Sequence, residues 1–143
     1  MNDDFYNFIS NLIKNDSALN YEWENNKEEI IFKKKDDNGF NIRVFHDNRF
    51  VYVETDTGYH DKFEINNDIK TTLTDVMGLV RDLLTKSMRI VEILSNNSGR
   101  KWLVQSYIDN EWKTEHEVGL LIWNFFGKKS EKIYFNDILP PRD

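Results

Sequence analysis

The side chains best suited to acid–base or metal chemistry are three histidines, His46, His60 and His116. A metal centre needs two or three such ligands with carboxylates on converging faces, and separations of 14 and 56 residues match no ligand spacing. His60-Asp61 and Glu115-His116-Glu117 set carboxylates beside imidazoles, an arrangement that can hold a tautomer. Neighbours in a strand point to opposite faces, however, so these histidines read as exposed groups among solvating charges. A serine nucleophile would need a glycine-flanked elbow, whereas Ser98-Gly99 ends the turn-like run Asn96-Asn97-Ser98-Gly99. Gly127-Lys128-Lys129-Ser130 lacks the upstream glycine of a phosphate loop, and no G-x-G-x-x-G run occurs. Glu22 and Glu24 share a strand face, but acid–base work requires desolvation to split their pKa values, and Lys27 and Asn25-Asn26 imply water. The absence of cysteine removes disulfides, thiolate metal sites and a cysteine nucleophile together. The expectation is a protein with no catalytic residues, no metal and no cofactor.

The elements that would carry these residues are legible from periodicity. Phe5, Phe8, Ile9, Leu12 and Ile13 fall on one helical face over residues 3–14. From Leu19 to Ile65 the apolar residues alternate: Tyr21 and Trp23, Ile30 and Phe32, Phe40, Ile42 and Val44, Val51 and Val53, Phe63 and Ile65. Period two means strands, and Asn25-Asn26, Asp36-Asp37-Asn38-Gly39, Asp47-Asn48 and Asp56-Thr57-Gly58 supply the turns of an antiparallel meander. A second helix follows Asn66-Asn67-Asp68 with Ile69, Leu73, Val76, Val80 and Leu83 at steps of four and three. Met88–Leu94 and Trp102–Ile108 form a hairpin, with a further reversal at Asp109-Asn110 into Glu111-Trp112-Lys113. Thr114-x-x-Glu117 fits a capping box, and Val118, Leu121, Ile122, Phe125 and Phe126 share a helical face that stops at Gly127, so the spacing predicts a third helix over 114–127. One more short strand is expected around Ile133-Tyr134-Phe135. The class read from this order is α+β, an antiparallel sheet of meander plus hairpin packed against about three helices, in one domain over 1–143.

Charge and composition bound the partners. Residues 1–67 carry 14 acidic and 8 basic side chains, while residues 68–143 carry 11 of each, so the whole net charge of −6 arises in the first half. Such a field repels phosphate backbones and attracts cations, which disfavours direct nucleic-acid binding and favours a basic protein partner, so no direct nucleic-acid contact is expected. The run Lys33-Lys34-Lys35 is followed at once by Asp36-Asp37. No stretch approaches the roughly 20 apolar residues that cross a bilayer, and the acidic start Met1-Asn2-Asp3-Asp4 is unlike a secretory signal, so a cytoplasmic location without membrane contact is expected. Twenty aromatic residues exceed what a core of this size needs, and Trp23 and Trp112 stand beside acids, as interface anchors do.

This profile resembles the small acidic immunity proteins that neutralise bacterial polymorphic or contact-dependent toxins. Glu22, Trp23, Glu24, Glu54, Asp56, Glu111 and Trp112 carry the resemblance. It implies a non-catalytic inhibitor whose acidic and aromatic side chains occlude the basic active-site surface of a toxin or nuclease. A phage-type inhibitor of a host nuclease would use the same physics. A small ligand-binding or enzymatic domain remains the other alternative; it would show an aromatic pocket between the sheet and the second helix, with His46, His60 or His116 pointing inward.

Overall fold

The alternating first half becomes a meander in the computed structural model, which describes residues 2–95, 98–119 and 128–141. Helix α1 (Asn2–Ile13) precedes strands β1 (Tyr21–Glu24), β2 (Glu29–Phe32), β3 (Ile42–His46), β4 (Phe50–Thr55) and β5 (His60–Glu64), hydrogen-bonded in sequence order. Turn chemistry sets the reversals: Asn25, Asn26 and Lys27 take positive φ, and Gly58 sits at φ +107. Asp47 closes the β3–β4 turn, its Oδ1 accepting from the amides of Arg49 at 2.7 Å and Phe50 at 2.8 Å.

Helix α2 (Ile69–Leu83) starts where expected. Asp68 caps it by accepting from the Lys70 amide at 3.0 Å, and Ile69, Leu73, Val76, Val80 and Leu83 are all buried. On α1, Phe5, Ile9 and Ile13 are buried, whereas Leu12, expected in the same stripe, is 51% exposed.

The second half departs from expectation. Strands β6 (Met88–Ser95), β7 (Ser98–Ile108), β8 (Glu111–Gly119) and β9 (Lys129–Phe135) form a separate four-stranded antiparallel sheet in the order β8-β7-β6-β9. The expected α+β architecture of one sheet and about three helices is therefore corrected: the chain is mostly β, with sheets of five and four strands and, among the described residues, two helices. No helix begins at Thr114. Asp109 and Asn110, at φ 54 and 65, form a tight turn whose twist suits a hairpin, and this sets the register of everything that follows. Thr114 pairs with Gln105, Glu117 with Leu103 and Val118 with Trp102, around one bulge. The eleven-residue β7 offers a ladder of backbone partners that outcompetes the local capping signal of Thr114 and Glu117. Leu121, Ile122, Phe125 and Phe126 lie outside the described residues.

One hydrophobic core joins both sheets. Ile30, Phe32, Ile42, Val44, Val51 and Val53 of the first sheet pack against α1 and α2, and Ile90, Val104 and Leu139 extend the cluster into the second half. Polar clamps fix the seam. The buried Asn136 side chain accepts from the Phe40 amide at 3.1 Å and donates to the carbonyls of Phe40 and Leu83 at 3.1 and 3.2 Å. Trp102 donates its indole N–H to the Thr57 carbonyl at 2.8 Å. No helix among the described residues is long and apolar enough to cross a membrane.

Candidate functional site

Because side chains alternate along a strand, the register of the meander assigns each residue to a face. The inner face carries the core. The outer face presents two rows across the sheet: Glu22, Ile31, Arg43, Glu54 and His60, then Glu24, Glu29, Phe45, Tyr52 and Lys62, with Phe50 opposite Glu64 beyond them. At its centre Phe45 and Tyr52 stack with centroids 4.9 Å apart and planes at 15°, and Phe50 lies 6.0 Å from Tyr52. Cations cover the edges of this aromatic strip, Arg43 over Phe45 and both Arg49 and Lys62 over Phe50.

The carboxylates around the strip are partly engaged. Lys33 pairs with Glu22 at 3.0 Å, and Arg43 donates to Glu29 and lies 4.0 Å from Glu54. Glu29 is buried, so its charge is held by Arg43 and not by water. Tyr52 donates to Asp47 at 2.7 Å. That bond, with the two turn amides, holds the Asp47 carboxyl below its usual range, and the same carboxylate pushes the Tyr52 phenol up. The Asp47 bond thus fixes the Tyr52 end of the stack.

The sequence-derived site residues do not form one surface. Glu22, Glu24 and Glu54 share the outer face. Trp23 points the other way, edge-on to Phe5 at 6.2 Å and tilted over Tyr6 at 4.7 Å, so its ring anchors α1 to the sheet. Asp56 lies in the β4–β5 turn and accepts from the Asn41 amide at 3.0 Å. Glu111 and Trp112 belong to the second sheet, where Arg89 stacks over Trp112 at 4.1 Å and Tyr107 packs beside it. Phe45, Phe50 and Tyr52 were missed. Their signal was phase, since Phe45 and Tyr52 occupy the outward positions between Val44 and Val53, where a solvated strand would carry polar residues.

The histidines are dispersed. His46 packs on Phe5 at 4.4 Å with its Nε2 buried and unpaired. His60 lines a cleft of about 520 Å³ between β5 and β8, with Tyr52, Glu54, Asp61, Lys62, Glu117 and Val118. His116 reaches Asp61 at 3.5 Å across that seam. Among the described residues no three His, Asp or Glu side chains converge as a metal site. No family model, curated protein or solved structure matches the chain.

Proposed function

We propose that this chain is a non-catalytic binding protein that holds a basic protein partner against the outer face of the five-stranded sheet. The observation that carries the reading is the stacked, half-buried Phe45–Tyr52 pair on the outer face, edged by Arg43, Arg49 and Lys62 and bordered by Glu22, Glu24, Glu54 and Glu64. Aromatic anchors surrounded by charge are the anatomy of protein interfaces, in which a few central rings carry most of the affinity. The acid excess of residues 1–67 acts at longer range and selects cationic partners. Inhibition of a toxin by occlusion, as immunity proteins achieve it, is the form of activity this surface fits. Trp23 serves the reading indirectly, by fixing β1 on α1, and Trp112 lies on another surface.

The test is equimolar co-purification from the native cell extract with three versions of the protein. The wild type should retain a basic protein, Tyr52→Ala should lose it at least tenfold faster, and Tyr107→Ala on the second sheet should behave as wild type. Retention of an acidic partner or of nucleic acid, or equal retention by Tyr52→Ala, would discard this assignment.

A further inference from the structure

On the side of the fold away from that face, residues of α1 and α2 line an open groove of about 340 Å³, within the size range of small-molecule sites. Phe8 and Leu12 make its accessible wall, over a floor of the nearly buried Met77, Leu84 and Leu139. Gly78 faces it from the middle of α2, and a Cβ added there would meet nothing within 4 Å. Helix propensity disfavours glycine at such a position, and its small size here leaves the groove open. The exposure of Leu12, half of its surface on an otherwise core-facing stripe, is the lip of the same groove.

Charge is confined to one end. Arg81 lines the groove there, and Asp16 accepts from its Nη1 at 3.2 Å, which leaves Nε and Nη2 without a partner among the described residues. Beyond the same end, Lys33, Lys34 and Lys35 line a second depression of about 430 Å³ with Ala18, Asn20, Asp137 and Ile138. The two depressions share their dividing wall, since Leu19, Phe32 and Leu139 face the groove and their chain neighbours face the lysines. Asp36 and Asp37 line neither depression, and Asp36 is turned onto the Asn38 amide at 3.0 Å. In a chain of net charge −6, four cations therefore gather at the end of an apolar groove, facing Asp16, Asp137 and Glu22.

We propose that this groove binds one free, single-chain fatty acid, with the alkyl tail between α1 and α2 and the carboxylate on the open edge of the Arg81 guanidinium. Planar guanidinium donors match a carboxylate, and the lysines beyond add attraction without contact. The ligand is the monomer in solution and not a bilayer, because the walls are concave and only Leu12 projects from them.

Calorimetric titration of the full chain with sodium dodecanoate below its micellar concentration tests this directly. One site per chain is expected. Gly78→Leu should weaken binding at least tenfold with no fall in melting temperature; Thr74→Trp, at the exposed rim of the groove, should do the same and stands in if the first variant unfolds. Arg81→Gln should weaken dodecanoate at least tenfold and leave dodecanol unchanged. Absence of saturable binding, binding indifferent to both groove-filling variants, equal affinity for dodecanol and dodecanoate, or binding to anionic vesicles alone would each overturn the proposal. None of these outcomes bears on the outer-face reading, because the varied positions, Thr74, Gly78 and Arg81, all belong to α2 and not to the sheet.

Discussion

Asn136 shows how much one side chain decides here. It is 2% exposed, and its amide satisfies three backbone groups from two distant segments. Asn136→Ala leaves those groups buried and unpaired, so the loss of unfolding free energy should be on the order of 3 kcal/mol, measurable by urea denaturation. A loss below about 1 kcal/mol would mean that water takes over the site. Gly58 is similar in kind: its φ of +107 disfavours side chains, and a Cβ would overlap the Trp102 indole. Tyr59 acts through protonation. Burial first, and the neighbouring Asp61 carboxylate second, push its phenol well above the ordinary value. A raised folded pKa means that the stabilisation is fully present below the unfolded value of about 10 and is lost as pH rises beyond it. Tyr59→Phe should therefore flatten the fall in melting temperature between neutral pH and the alkaline range, and an unchanged slope would count against this role.

At the scale of elements, α2 is the part whose sequence and structure agree most closely. Its apolar stripe of Ile69, Leu73, Val76, Val80 and Leu83 is buried, and Asp68 makes the cap bond. Gly78 is the exception, since no contact requires it within the fold. Gly78→Ala should accordingly raise stability by about 0.5–1 kcal/mol in thermal unfolding. A decrease would show that the groove is less open than its geometry implies. The strand β8 teaches the opposite lesson. A capping box and a helical apolar face are local signals worth about 1 kcal/mol, whereas β7 and the positive-φ turn at Asp109-Asn110 supply a full ladder of partners. Val118 faces the seam beside Trp102. Val118→Asp should thus destabilise the protein by roughly 2 kcal/mol, while the same change at exposed Glu117 should be near neutral.

For the whole molecule the governing quantity is where charge stands relative to the rings. Reversing Glu22, Glu24 and Glu54 to lysine should slow capture of the basic partner and weaken its salt dependence in stopped-flow association, with dissociation changed less. Because Glu22 pairs with Lys33, this variant also frees that cation, while Arg43 stays on Glu29, so its effect on the on-rate should exceed that of raised salt alone. Equal association rates for variant and parent would show that the acid excess serves only solubility.

The sequence by itself determined what depends on neighbours a few residues apart. Strand alternation, the turns at Asn25-Asn26 and Asp109-Asn110, and the cap and stripe of α2 are such features, because φ/ψ preference and side-chain period act locally. The charge asymmetry was equally legible. Tertiary structure alone decided which rings became surface. Trp23 and Tyr52 both sit in alternating strands and both end half-buried, yet Trp23 packs on α1 while Tyr52 stacks on Phe45 of the opposite, outer face. It also decided that β6, β7, β8 and β9 would build a second sheet, since strand pairing is settled by partners distant in the chain. The groove between α1 and α2, with Arg81 reaching Asp16 across 65 positions, has no local signature, for the sequence does not encode the angle at which two helices part until both are packed on the same sheet.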